Sequence, residues 1–148
     1  MGSEEKSLDE RRQEPYKLMD LEDEKEIIAS VSGAYLEGMV YTFTQGNRQV
    51  TGVSYIGIKE IAYQLAIGTG REITIDPDTI TKEEDENFYY ITMMAHHHGV
   101  GTRIGAAVQA KKFSSGVKDP FAFVKAYSKA QRNALRAVLP ELTIKAFI

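Results

Sequence analysis

The chain has 148 residues, 43% of them hydrophobic and 26% charged, with a formal net charge of −3 and no cysteine. That length suits one domain with a sizeable core. The missing cysteines exclude disulfides, thiol catalysis and cysteine-ligated zinc, and the acidic total excludes a uniformly basic protein. No apolar run is long enough for a transmembrane helix, and the charged start lacks a signal-peptide stretch, so a soluble, cytoplasmic protein is expected.

The charge is uneven along the chain. Residues 1–26 hold ten acids and five bases, a net of −5, whereas from Arg103 onward nine bases stand against two acids, Asp119 and Glu141, a net of +7. Residues 1–18 have few large apolar side chains and are expected to form a flexible acidic arm; residues 19–148 are expected to form one domain. Asp20 to Ser32 reads as a short helix with Leu21, Ile27, Ile28 and Val31 on its apolar side, and Gly33 and Gly38 punctuate the segment after it. Met39–Thr44 and Arg48–Val53 are β-like runs around a Thr-Gln-Gly-Asn turn composition and predict a hairpin.

Ser54 then caps an expected helix from Tyr55 to Ile67, with Gly68 as its stop. Three strand-like runs come next. They are Arg71–Thr81, interrupted by Asp76-Pro77-Asp78; Phe88–His98, after the acidic turn Lys82–Asn87; and Thr102–Lys112, after Gly99–Gly101. Together they predict an antiparallel meander. Asp119-Pro120 opens the longest helix signal, which stops at Pro140. The apolar tail Leu142–Ile148 is expected to dock on a core or a neighbour. The fold class is therefore α+β: a β-β-β-α core, its meander packed on a long basic helix, with an N-terminal hairpin and helix.

The last long helix carries the most informative pattern. Lys125, Lys129, Arg132 and Arg136 stand at i, i+4, i+7 and i+11, so they share one narrow sector over about 16 Å. No acid within the helix is spaced to neutralise them. Such a row suits a backbone of phosphates, and it also suits an ordinary solvated helix face. Arg103, Lys111, Lys112 and Lys118 add charge on the third strand and the loop after it. Tyr55, Tyr63, Phe88, Tyr89, Tyr90 and Tyr127 interleave with these bases. Exposed rings can stack nucleobases, although most of the six are expected in the core.

Other patterns point less far. In a strand, His96 and His98 share a face and His97 points away; two imidazoles need further ligands to hold zinc, so no metal is expected. Gly99, Gly101 and Gly105 form GxGxxxG between two strands, which does not fit a dinucleotide or phosphate-binding loop. Asp76, Asp78 and Glu83 to Glu86 read as solvated turn acids.

The order of helix, three-stranded meander and basic helix resembles the single-strand DNA annealing proteins of homologous recombination, the Rad-fifty-two-type family and its Erf- and RecT-like relatives. The similarity covers about residues 53–141 and is best in the segment from Lys125 to Arg136, which ends in Arg132-Asn-Ala-Leu-Arg136, and in the strand phrase Phe88-Tyr-Tyr-Ile-Thr92. The histidine run has no counterpart there. The resemblance implies DNA contacts at Arg132 and Arg136 and, by a looser match, at Lys59; Lys125 and Lys129 join them on geometry. It also implies single-stranded DNA as the partner, self-assembly into rings or filaments, other recombination proteins as further partners, no cofactor and no enzymatic activity. Two alternatives stay open: a small metal-dependent hydrolase or nuclease using the His96–His98 region, and a protein-interaction module. The acidic arm is expected to compete with DNA for the basic groove, so deleting residues 1–18 should raise affinity.

Overall fold

A computed structural model describes the backbone of residues 8–31, 40–45 and 48–148, and the side chains of residues 19–30 and 53–148. The elements are α1 (Leu8–Val31), β1 (Val40–Gln45), β2 (Arg48–Val53), α2 (Tyr55–Thr69), β3 (Ile73–Glu84), β4 (Phe88–His97), β5 (Gly101–Ala110), α3 (Ala122–Val138) and α4 (Glu141–Phe147). β1 and β2 pair as an antiparallel hairpin; β3, β4 and β5 form an antiparallel sheet in that order. The protein is α+β, with the meander packed against α3.

Local chemistry explains most of these boundaries. Ser54 caps α2, its hydroxyl accepting the Gly57 N–H at 3.2 Å, as a helix start requires. The helix passes Gly68 and ends at Gly70, whose φ of +67° is the left-handed conformation glycine adopts at no steric cost. β3 runs on to Glu84, through part of the expected turn, and its pairing with β4 slips between Asp76 and Thr81. That irregularity absorbs Pro77, which has no amide to donate to a ladder. Asp85 shapes the short turn that remains, accepting the N–H groups of Asn87 and Phe88 at 2.8 and 2.7 Å. α3 begins at Ala122, slightly later than expected, and Asp119 reaches forward to accept the Phe121 N–H at 2.9 Å. Pro140 lies just past the end of α3, and the tail forms α4 with Ile144 buried.

The core lies between the inner face of the sheet and the helices. Ile91, Met93 and Ala95 of β4 meet Ala126, Ala130, Ala134, Leu135 and Val138 of α3 and Ile58, Ile61 and Ala62 of α2. α3 lies unusually close to β5 because of Gly105: a methyl group there would overlap the Ala134 backbone and come within 2.6 Å of the Ala130 carbonyl oxygen. The third glycine of GxGxxxG therefore serves packing, while Gly99, with φ +77°, serves the β4–β5 turn.

α1 is longer than expected. The helix begins at Leu8, not Asp20, so residues 8–18 continue it through Pro15. Residues 1–7, the Gly33 and Gly38 breaks and the hairpin turn at 46–47 lie outside the described residues. Among the described residues of α1, Ile27 is the deepest apolar anchor, at 1% exposure, and carboxylates add to its hold. Asp23 accepts the N–H of Tyr55 and Glu26 that of Ile56, both at 2.8 Å. Two acids of one helix thus satisfy amides at the start of another, which would otherwise lack partners.

Candidate nucleic-acid interface

The four cations of α3 do share one stripe, but their surroundings change along it. At its N-terminal end, the buried Lys125 bonds Asp119 at 2.6 Å, lies 3.8 Å from Glu24, and sits 5.2 Å from the centre of the Phe113 ring. One turn on, the buried Lys129 donates to Asp20 at 2.7 Å, Glu24 at 3.0 Å and the Gln109 side chain at 2.7 Å. Arg132 pairs with Asp23, which is itself fully buried. Arg136 is open, 44% exposed at its side chain, with a 3.4 Å contact to Glu141.

The expectation of an un-neutralised row therefore needs correction. No acid within α3 offsets it, but Asp20, Asp23 and Glu24 of α1 do, joined by Asp119 just ahead of the helix. A buried lysine without such partners would be a heavy electrostatic penalty. Burial pushes the Arg132 guanidinium down from its ordinary value, and the charge of Asp20 opposes that shift; an arginine stays ionised regardless.

The remaining expected contacts are distributed around this seam. Lys59 is exposed on α2, its ammonium 5.2 Å from the centre of the Tyr55 ring. Since Asp23 holds both Arg132 and the Tyr55 amide, Lys59 borders the same junction. Lys111 pairs with Glu84 at 3.0 Å and lies 4.8 Å from the Tyr89 ring centre, so it belongs to the turn end of the sheet. Lys112 and Lys118 are exposed and bridge through their backbones. Arg103 stands at the opposite end of β5, where it lines a small cleft with Val100, Ala137, Leu139 and Pro140. The eight expected contact residues thus do not form one continuous surface: Lys125, Lys129 and Arg132 are covered, Arg136 and Lys59 are open beside them, and Arg103, Lys111 and Lys112 lie elsewhere.

The aromatic residues are more exposed than expected. Tyr55 is buried, but Tyr63, Phe88 and Tyr90 are 64%, 39% and 38% exposed. Phe88 and Tyr90 point to the outer face of the sheet with Met94, beside Ile104 and Val108 of the paired strand β5. Ile104 and Val108 are each about 60% exposed. Among the described residues, no element covers this face.

The histidines divide as alternation requires. His96 and His98 share a face with ring centres 6.4 Å apart, and His97 is buried with Nδ1 3.2 Å from the Val138 carbonyl oxygen. Among the described residues, no three His, Asp or Glu side chains stand together as a ligand set for a metal ion. No protein-family model matches this sequence, and no curated protein matches it.

Proposed function

We propose that this chain is a non-enzymatic single-stranded DNA binding and annealing module that works as a homo-oligomer in recombination or repair. The observation that carries the reading is the α3 stripe, four cations on one helical line, three of which (Lys125, Lys129 and Arg132) already meet carboxylates of α1. A row of ammonium and guanidinium groups that already accepts a line of carboxylates has the charge and pitch to accept a line of phosphates, which leaves base edges free to test a second strand. The outer face of the sheet supports self-association: Phe88, Tyr90, Ile104 and Val108 form an apolar surface on a strand pair, the kind of patch that marks protein contacts. Many weak contacts, multiplied over protomers, would supply avidity. A cytoplasmic, nucleoid-associated location and other recombination proteins as partners belong to the same proposal.

The test is binding and annealing of labelled oligonucleotides as salt is raised, run beside light scattering for particle mass. Arg132→Ala is a poor probe, because it strips a buried carboxylate of its partner. Arg136→Ala combined with Lys59→Ala removes two exposed charges and should weaken binding and flatten its salt dependence. An unchanged affinity in that variant sinks the site assignment, and a monomer that anneals nothing sinks the function.

A further inference from the structure

α1 stands where an anionic ligand of the α3 stripe would stand. Asp20 and Glu24 are one turn apart on α1, with Asp23 between them, and all three reach α3. Lys129 has three N–H donors, and Asp20, Glu24 and Gln109 take all of them. Phosphate cannot reach that ammonium while α1 is in place.

The two ends of this contact differ. Asp23, Glu26 and Ile27 are anchored: Asp23 and Ile27 are almost inaccessible, and Asp23 and Glu26 hold the first amides of α2. Asp20 is not anchored. Its side chain is 48% exposed; it bonds Lys129, and its charge also acts on Arg132. Glu24 is 17% exposed, and its partners are Lys125, Lys129 and Gln109. Water and salt compete for the half-exposed Asp20, whereas the Glu24 contacts, being more enclosed, are screened less. Lys125 keeps Asp119 whether or not Glu24 is present, so Lys129 is the cation that most depends on α1.

We propose that the portion of α1 bearing Asp20 and Glu24 is an intrachain competitor for polyanions. It covers Lys129 in the free protein; when a phosphate backbone takes its place, the helix end bearing Asp20 swings off α3 and the Glu24 side chain turns away, while Asp23, Glu26 and Ile27 stay docked. This rests on the DNA-binding reading above. Tethered carboxylates act at high effective concentration, so they suppress weak contacts with isolated anions and yield to a polymer that presents many phosphates at once. The acids responsible lie within the helix after residue 18, so deleting residues 1–18 leaves the competitor in place.

The experiment measures anisotropy of a labelled thymidine 30-mer over a salt series with the full chain, D20N, D20N/E24Q and D20N/E24Q/K129Q. D20N/E24Q should bind about fivefold more tightly at low salt, the scale of one released ion pair. Its log–log salt slope should steepen by about 0.7 for one added phosphate contact. K129Q in the same background should remove both gains. D20N alone, at a half-exposed position, should move in the same direction by less, and it keeps the test decisive if the double variant fails to fold. Equal affinity and slope in the parent and the acid variants, with DNA bound by all, overturns the competitor and leaves the DNA reading standing. No binding by any variant removes the DNA reading and the competitor with it.

Discussion

α3 is held on two sides by different physics. Its alanine face, Ala126, Ala130 and Ala134, lies on the sheet at a distance that only Gly105 permits. Its cation face lies on α1 through ion pairs, with Asp20 partly in water. The first seam is close-packed and apolar, so it has no tolerance for added volume. The second is polar, so its partners can be exchanged for water, salt or another anion. α3 is thus fixed on one side by shape and on the other by charge.

Gly105→Ala attacks the packed seam and should have the largest effect, a loss of about 3 kcal/mol in urea unfolding, because the new methyl group meets helix backbone, not a movable side chain. A loss under about 0.5 kcal/mol would show that α3 can retreat from the sheet at little cost. Asp23→Ala attacks the anchored part of the polar seam. It leaves the Tyr55 amide and Arg132 without their shared partner, and stability should drop by about 2 kcal/mol. Lys129→Gln attacks the releasable part, where Asp20 can turn to water; the loss should be about 1 kcal/mol and should shrink as salt rises. A loss as large as that of Gly105→Ala, and unmoved by salt, would erase the contrast between the seams.

Glu26→Gln gives the smallest and most specific readout. Desolvation raises the Glu26 carboxyl above its ordinary 4.5, with the Ile56 and Ser54 hydrogen bonds opposing the shift. Between 4.5 and the raised value the native chain holds more protons than the unfolded chain, so this group's contribution falls as pH rises through the window. The variant lacks that dependence and should gain on the parent as pH increases. Parallel stability curves over pH 4 to 7 would show that Glu26 does not titrate in that window.

Much of the fold was legible because its signals are local. Ser54 ahead of an apolar helical period located the start of α2, a run of aromatic and β-favouring residues located β4, and Pro140 located the end of α3. Other features depend on partners far along the chain. β3 was expected to stop at Thr81, yet pairing with Tyr89 and Tyr90 carries it to Glu84 through acids that composition alone assigns to a turn. Residues 8–18 read as an arm because they have few large apolar side chains, and helical backbone does not require a core of its own. Gly105 lay within the expected third strand, and only α3 seen against it explains why that position carries no side chain.

The sequence by itself determined the cation stripe, since four bases at helical spacing face one way on any helix they form. It also determined the imbalance of charge between the first 26 residues and the last 46. Only the tertiary structure decided that these two regions meet. Asp20 and Lys129 are 109 residues apart, and no local pattern couples such positions. Which cations are buried, which are open and which wait beneath an acidic helix is set by packing, because burial depends on what lies across a surface and not on what lies beside it in the chain.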